Sequence, residues 1–310
     1  MTKFNSNLPN GVFAASVTPL KSDFTIDHEA LVNHCNWLLA NGNNGICFMG
    51  TTGEANSFSV EERIQALDYL LEKGFPAEKL LVGTGCCALT DSIQLTRHAT
   101  SKKVGGVLML PPFYYKGLTD EGLMNYFSII IDEVDNPDLR IYLYHFPRMT
   151  SVPFTLSFVT QLIDKYPGVI AGMKDSGGDW DNMKAFLDAL PGFKLYSGTE
   201  KYFLEVLRAG GAGVISATTN LTGNLAALVY AKRNEANADK LQGKLTEARL
   251  AFEGASFVSS VKHELAKWHQ NENWLHIRPP NSNLSGSQIT ELESKLKAID
   301  FETPSTTKSI

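Results

Sequence analysis

The sequence predicts an α/β fold, a closed (β/α)8 barrel followed by further helices, and two observations support this prediction. Eight short apolar runs alternate with longer amphipathic stretches between residues 11 and 216. Most of these runs are continuously apolar, which is typical of parallel strands buried on both faces. Such an alternation also fits an open doubly wound sheet, but the count of eight favours the closed barrel. The predicted strands are Gly11–Val17, Gly45–Met49, Leu80–Thr84, Gly106–Leu110, Arg140–Tyr144, Val169–Lys174, Phe193–Ser197 and Gly213–Ser216.

Capping residues indicate where several of the intervening helices begin and end. Asp27 is a suitable N-cap for a helix that ends at Asn41-Gly42. Ser59 and Glu62 have the spacing of a capping box. Further helices are predicted after Thr90, over 117–135, over 155–166, after Asp179 and over 200–209.

No strand-like run follows the eighth one. The rest of the chain has helical periodicity in four segments, Leu221–Lys232, Ala238–Phe252, Ser256–His269 and Ser287–Ala298. We therefore predict a catalytic barrel over residues 1–221 and a helical C-terminal extension over residues 222–310.

The composition excludes several classes of protein. The chain has 310 residues, is 43% hydrophobic and carries a net charge of −5, and no basic block suggests a nucleic-acid partner. No run approaches the roughly 18 apolar residues of a membrane span. Met1–Asn10 lacks the apolar region of a signal peptide. Because no C-x-x-C spacing occurs, buried thiols in a reducing, cytoplasmic compartment are expected for Cys35, Cys47, Cys86 and Cys87.

Lys174 is the first candidate catalytic residue. It ends an apolar strand and precedes a glycine-rich turn in Gly172-Met173-Lys174-Asp175-Ser176-Gly177. A lysine in a barrel mouth loses hydration, and this favours the neutral amine, which can attack a ketone to form an iminium. The alternative is a structural lysine that reaches solvent or pairs with Asp175.

Tyr144 is the second candidate, because it ends the strand before the lysine strand. Adjacent strands lie about 5 Å apart, so a phenol there could move protons for the lysine chemistry. The alternative is a tyrosine that only packs in the core or at the rim. His145 follows it and is expected to point to the opposite side of the strand.

The third candidate is the turn Gly50-Thr51-Thr52-Gly53-Glu54 after the second strand. Two hydroxyls and the backbone N–H groups of a turn can bind an anion such as a carboxylate. The alternative is a turn in which the threonines bond only to backbone.

Two rival motifs are weaker. Gly83-Thr84-Gly85-Cys86-Cys87-Ala88 fits a loose dinucleotide pattern, but no acidic residue occurs about 20 residues on. His263 and His269 are too far apart for the i, i+4 pair of a zinc helix. We expect neither a metal nor a nicotinamide cofactor.

These segments together resemble the dihydrodipicolinate synthase / N-acetylneuraminate lyase family of class I aldolases. The resemblance covers residues 10–300 and includes Thr18-Pro19, Gly50-Thr51-Thr52-Gly53-Glu54, Pro111-Pro112-Phe113-Tyr114-Tyr115, Tyr144-x-x-Pro147, Gly172-Met173-Lys174-Asp175, Gly213-Val214-Ile215-Ser216-Ala217 and Arg278-Pro279-Pro280. It implies a lyase that acts on a 2-oxo acid, needs no cofactor and assembles as a homotetramer of two dimers.

The resemblance also implies roles for individual residues. Lys174 would form the Schiff base and Tyr144 would relay protons. Thr51 and Thr52 would hold the substrate carboxylate, with Thr52 also in the relay. The tyrosine that reaches the neighbouring subunit's site would be Tyr114 or, if the alignment slips by one, Tyr115. Ile215 is a further expected substrate-binding residue.

One departure bears on the substrate. Family members that make dihydrodipicolinate have Tyr-x-x-Pro-Gly-Arg-Thr, whereas this chain has Met149 in the arginine's place and Arg148 one residue earlier. We therefore favour a substrate such as pyruvate or a 2-keto-3-deoxy sugar acid that releases pyruvate, with dihydrodipicolinate synthesis as the alternative. A silent 2-oxo acid sensor and an NAD-linked oxidoreductase are alternatives from other classes. Polar residues at predicted strand ends are candidates for binding the rest of the substrate, namely His145, Arg148, Ser176, Ser197, Glu200 and Ser216.

Overall fold

Eight parallel strands form a closed barrel in chain order, as the sequence predicts. This computed structural model describes Phe4, Ser6 and residues 8–302, so the expectation for Met1–Asn10 falls partly outside the described residues. Each strand coincides with a predicted run to within two residues. The strands are β1 Gly11–Ala15, β2 Gly45–Phe48, β3 Leu80–Gly83, β4 Gly106–Met109, β5 Ile141–His145, β6 Ile170–Asp175, β7 Lys194–Ser197 and β8 Gly213–Ser216.

Helices connect successive strands and continue after β8. In the described part of the chain they are α1 His28–Ala40, α2 Val60–Glu72, α3 Leu89–Ser101, α4 Asp120–Val134, α5 Pro147–Thr150, α6 Leu156–Lys165, α7 Trp180–Ala189, α8 Phe203–Arg208, α9 Thr219–Ala231, α10 Ala238–Ala251, α11 Phe257–His269 and α12 Gly286–Ala298. The one-turn helix α5 was not predicted. The prediction that Thr90 precedes a helix was wrong, because α3 begins at Leu89 after the N-cap residue Ala88.

The predicted caps are present. The Asp27 carboxylate accepts a hydrogen bond from Ala30 N–H at 3.1 Å. The Ser59 hydroxyl accepts from Glu62 N–H at 3.2 Å, and the Glu62 carboxylate accepts from Ser59 N–H at 2.8 Å. These bonds satisfy N–H groups that have no partner inside the first helical turn.

The chain forms two compact units. One consists of residues 11–75 and 215–310 and is called the β1–β2 unit; the other consists of residues 1–10 and 76–214 and is called the β3–β7 unit. Helices α9–α12 follow β8, as a C-terminal extension requires. The predicted boundary at residue 221 stays a prediction.

In the β3–β7 unit, large rings fill the layer toward the amino ends of the strands. The Tyr142 ring occupies space that a side chain on Gly106 or Gly172 would need, since a Cβ there would lie 2.6 or 2.8 Å from the ring. Tyr196 stacks edge-on at 6.2 Å from Tyr142, and its hydroxyl donates to the Pro9 carbonyl at 2.8 Å. The inward side chains two residues after this layer on β5 and β6 therefore lie directly above a layer that rings already fill.

In the β1–β2 unit, Asn220 on α9 ties the end of β1 to the start of that helix. Its amide donates to the carbonyls of Ala15 at 2.8 Å and Ala217 at 2.7 Å. Its carbonyl accepts from the buried His34 ring at 3.0 Å. Because His34 is fully buried, its pKa is lowered to about 4 and the ring is neutral at neutral pH.

The cysteines follow the sequence expectation in part. All four are free thiols; Cys35 and Cys47 are buried, but Cys87 is exposed and Cys86 is half-buried. The expectation that all are buried was therefore wrong, because Cys86 and Cys87 lie in the loop after β3. Across the described residues, no helix combines the length and apolar character that a membrane crossing needs.

Candidate active site

Lys174 lies near the carboxyl end of β6, with its side chain 5% exposed. Its Nζ is 4.4 Å from the centroid of the Tyr144 ring. Among the residues that the structure describes, Nζ makes neither an ion pair nor a hydrogen bond. Neither structural alternative holds, because the side chain does not reach solvent and does not pair with Asp175.

Tyr144 is fixed beside the lysine by strand register. The two residues are direct partners in the parallel pairing of β5 with β6. The tyrosine is 4% exposed, and the Phe146 ring stacks on it at 5.5 Å with an interplanar angle of 21°. The Tyr144 ring is thus held between an amine and a second ring, and sequence reasoning did not identify Phe146.

The opposite face of the same strand ends carries His145 and Asp175. His145 Nδ1 accepts from Phe154 N–H at 3.1 Å. The Asp175 carboxylate accepts from Gly177 N–H at 2.8 Å and from the Asn182 amide at 2.7 Å. Burial lowers the pKa of His145 and raises the pKa of Asp175. The bond to Phe154 places His145 on the side of the strand away from Tyr144, as expected from strand alternation. Its role as a residue that could bind the substrate stays a prediction.

Thr51 and Thr52 lie in a tight turn after β2. Glu54 N–H donates to the Thr51 carbonyl at 3.1 Å, and Ala55 N–H donates to the Gly50 carbonyl at 3.2 Å. Thr52 is buried and Thr51 half-buried. Within the described residues neither hydroxyl has a hydrogen-bond partner. The alternative in which these threonines only satisfy backbone groups is therefore excluded.

Glu54, at the end of this turn, has bonding partners that the sequence did not reveal. Its carboxylate forms an ion pair with Lys262 on α11 at 2.5 Å, and both side chains are 0% exposed. Its other oxygen accepts from Arg278 N–H at 3.0 Å. Arg278 occurs in the late Arg-Pro-Pro motif, but nothing in the local sequence connects either cation to Glu54.

The sequence of residues 8–299 matches the family model described as the dihydrodipicolinate synthetase family. The chain belongs to this family. It is accordingly an enzyme, a lyase of the class I aldolase type.

Curated relatives span nearly the whole chain. An uncharacterized DapA-like lyase of Chloroflexus aurantiacus is 31% identical over 94% of this chain and 97% of its own length. A 4-hydroxy-tetrahydrodipicolinate synthase of Saccharophagus degradans is 31% identical over 94% of this chain and 99% of its own length.

Solved structures of the dihydrodipicolinate synthetase family have the same fold. The chloride-inhibited dihydrodipicolinate synthase from Acinetobacter baumannii, complexed with pyruvate, has a TM-score of 0.84 and 29% identity, and covers 94% of this chain and 99% of its own. The dihydrodipicolinate synthase from Agrobacterium tumefaciens has a TM-score of 0.85 and 26% identity, and covers 93% and 99%.

The other predicted site residues differ in their surroundings. Tyr114 and Tyr115 are 73% and 72% exposed and contact each other edge-on at 5.4 Å. Arg148 is exposed on α5, next to Met149, which is 63% exposed. Glu200 and Ile215 are buried. Two pairs of predicted residues in the β3–β7 unit are thus in contact: Lys174 with Tyr144, which is buried, and Tyr114 with Tyr115, which is exposed.

In the described part of the chain, no three His, Cys, Asp or Glu side chains are grouped so that they could hold a metal ion.

Proposed function

We propose that this protein is a Schiff-base-forming lyase in which Lys174 condenses with a 2-oxo acid. The observation that carries the proposal is the Lys174 amine, which is buried, free of any carboxylate partner among the described residues and 4.4 Å from the Tyr144 ring centroid. An unpaired amine in a dry site is suited to nucleophilic attack, whereas an ion-paired one is not.

The proposed chemistry balances without a cofactor. Nζ attacks the C2 carbonyl carbon, and a proton moves from nitrogen to oxygen to give the carbinolamine. A second proton, taken up by its hydroxyl, lets that group leave as water and gives the iminium. In a 2-keto-3-deoxy acid, the electrons of the C3–C4 bond then move into the iminium while the 4-hydroxyl loses its proton. This step releases an aldehyde and leaves an enamine. Protonation of C3 and addition of water free pyruvate and restore the amine.

Tyr144 is the residue we assign to proton transfer, because it is the strand partner of Lys174. Thr51 and Thr52 are assigned to the substrate carboxylate, since both hydroxyls lack protein partners within the described residues. Thr52 is also assigned to the proton relay. Glu200, Arg148 and Ile215 are assigned to the remainder of the substrate. The family member solved with pyruvate supports the choice of a pyruvate-derived substrate.

Borohydride trapping tests the central step. The protein is incubated with pyruvate and sodium borohydride, digested, and examined by mass spectrometry for reductive addition of pyruvate at Lys174. A K174R variant is the control for reaction at other lysines. A wild-type digest without an adduct at Lys174 would refute the proposal.

A second candidate is 4-hydroxy-tetrahydrodipicolinate synthesis from pyruvate and aspartate semialdehyde. A relative that is 31% identical over 94% of this chain carries that name, which favours it. The Met149 position opposes it, since an exposed methionine cannot bind a carboxylate as an arginine does. Pyruvate release from a panel of 2-keto-3-deoxy acids, measured beside condensation with aspartate semialdehyde, decides between the two.

We further propose that the enzyme works in the cytoplasm as a homotetramer, a dimer of dimers. The two adjoining exposed tyrosines, Tyr114 and Tyr115, support an assembly in which one of them enters a neighbouring subunit's site. Four free cysteines suit a reducing compartment. Light scattering coupled to size-exclusion chromatography measures the molar mass of the assembly. A Y114A variant with the tetramer mass and the turnover of wild type would contradict the role of Tyr114.

A further inference from the structure

Glu54 ends the threonine turn in a conformation that aims its side chain into the protein. Its backbone is left-handed, with φ of 59°, and its carboxylate is 0% exposed. Both oxygens have partners, Lys262 Nζ at 2.5 Å and Arg278 N–H at 3.0 Å. The side chain is therefore an anchor for the turn and is not available to a substrate.

Lys262 comes from a distant part of the chain. It lies 208 residues after Glu54, on α11, and is also 0% exposed. Besides Glu54 it donates to the His276 carbonyl at 2.8 Å. A buried charge is tolerated only when it is paired and hydrogen-bonded, so these bonds leave the Glu54 carboxylate little freedom to move.

Arg278 holds the segment that follows the turn. Its guanidinium donates to the Glu62 carboxylate at 2.6 and 2.9 Å and to the Ser57 carbonyl at 2.7 Å, and it lies 4.3 Å from the Phe58 ring centroid. The segment from the turn to the start of α2 is thus bonded to the C-terminal part of the chain through two cations, Lys262 on α11 and Arg278 in the segment before α12.

The backbone transmits this anchoring to the threonines. Glu54 N–H is bonded to the Thr51 carbonyl, and the Thr18 hydroxyl donates to the Gly53 carbonyl at 2.7 Å. A displacement of Glu54 must therefore displace Thr51 and Thr52, whose own side chains have no bonds within the described residues that would hold them.

We propose that Lys262, on a helix after the barrel, is a positioning residue that sets the Thr51 and Thr52 hydroxyls through Glu54 for binding the substrate carboxylate. This inference rests on the proposed function, because it assigns those hydroxyls to that carboxylate. It also gives α11 a role in substrate recognition, without contact between Lys262 and the substrate.

The test compares K262M with wild type for two carbonyl compounds that differ in the carboxylate. Borohydride trapping at Lys174 is followed with pyruvate and with acetone, a ketone without a carboxylate. We expect K262M to slow trapping by pyruvate by up to about 100-fold, because a displacement of the hydroxyls by about 1 Å can have an effect of this size. Trapping by acetone should stay within about twofold of the wild-type rate. In steady-state assays the substrate KM should rise more than kcat falls.

Two further variants complete the experiment. K267M is the matched control, because Lys267 lies on the same helix and pairs with Glu293 at 2.8 Å, away from the turn; it should behave as wild type. The E54Q/K262M double variant removes both buried charges, so it should fold even if K262M does not. It should show the same selective loss with pyruvate.

The outcomes separate this inference from the proposed function. A folded K262M or double variant that traps pyruvate at the wild-type rate would overturn the inference alone. Equal losses with pyruvate and acetone would also overturn it, since they indicate general damage at Lys174. A wild-type protein that gives no adduct with pyruvate would overturn the proposed function and this inference with it.

Discussion

The ends of β5 and β6 and the turn after β2 are organised in different ways. Lys174 and Tyr144 are placed by strand register and ring packing, and within the described residues the amine has no polar bond. The threonine turn is instead fixed by a buried ion pair to a residue 208 positions away. The amine that we propose to react is held by strand register and ring packing, whereas the turn that carries the two threonines is held by charge.

The strongest way to break this comparison is to remove the amine. K174M should lower turnover by at least about 1,000-fold, because the nucleophile is lost. Stability should be unchanged or higher, since a methionine replaces a buried amine that has no polar partner among the described residues. Turnover is measured with the best 2-oxo acid and stability by thermal unfolding.

The matched control is K184M, which removes an exposed lysine paired with Asp188 on α7. It should change neither quantity. A K174M protein with turnover within tenfold of wild type would show that Lys174 is not the reactive residue.

Removing Lys262 from the buried ion pair that holds the threonine turn should lower the stability of the protein. K262M leaves the Glu54 carboxylate buried without its ion-pair partner, and we expect a loss of about 3–5 kcal/mol in the free energy of unfolding. E54Q/K262M should lose clearly less, since no charge is stranded. K267M breaks an exposed pair and should cost less than about 1 kcal/mol. Urea denaturation measures all three, and equal losses for K262M and K267M would contradict the contrast.

Tyr144 tests whether ring packing and proton transfer can be separated. Y144F keeps the ring beside Nζ but removes the hydroxyl, so kcat should fall by about 100-fold or more while thermal stability changes little. Y166F is the control, because that hydroxyl bonds Asp132 at 3.1 Å on the surface. A Y144F enzyme with normal kcat would assign the tyrosine a packing role only.

The buried His34 ring should make the stability of the protein depend on pH below neutrality, with no effect expected at pH 7. Its pKa is lowered to about 4 in the folded protein, against 6.5 as the ordinary value, chiefly by burial and with the neighbouring His269 acting in the same direction. The unfolded chain therefore binds the proton first, and stability falls as the pH drops from about 6.5 toward 4, by on the order of 2–3 kcal/mol.

H34Q cannot be protonated, and its amide can still donate to Asn220. In unfolding curves measured from pH 4 to 7, the free energy of unfolding of H34Q should therefore fall less toward low pH than that of wild type. H98Q, which changes a half-buried histidine on α3, is the control. If H34Q lost as much stability as wild type between pH 7 and pH 4, the pH dependence would come from other groups.

The strands and most helix ends were predictable because their signals are local. Continuous apolar runs reflect burial on both faces, and Asp27 and Ser59 are caps because their side chains bond to N–H groups within three residues. The prediction failed at Thr90 and missed α5, where Pro147 begins a single turn. One turn is too short to produce a periodic pattern.

The residues of the candidate site were proposed from the sequence, and the residues that contact them were not. Lys174 and Tyr144 were proposed from their places at strand ends, and Thr51 and Thr52 from their place in the turn after a strand. Phe146 and Lys262 were not, because a ring stacked on a tyrosine and a cation paired across most of the chain leave no local spacing to recognise.

The sequence by itself determined the eight strands, most of the helices and the residue types at the strand ends, because periodicity and caps depend on neighbours along the chain. Only the tertiary structure decided that the Lys174 amine has no partner among the described residues, that His145 points away from Tyr144, and that Lys262 anchors the threonine turn. Those facts depend on desolvation and on contacts between side chains far apart in sequence, which exist only once the chain has folded.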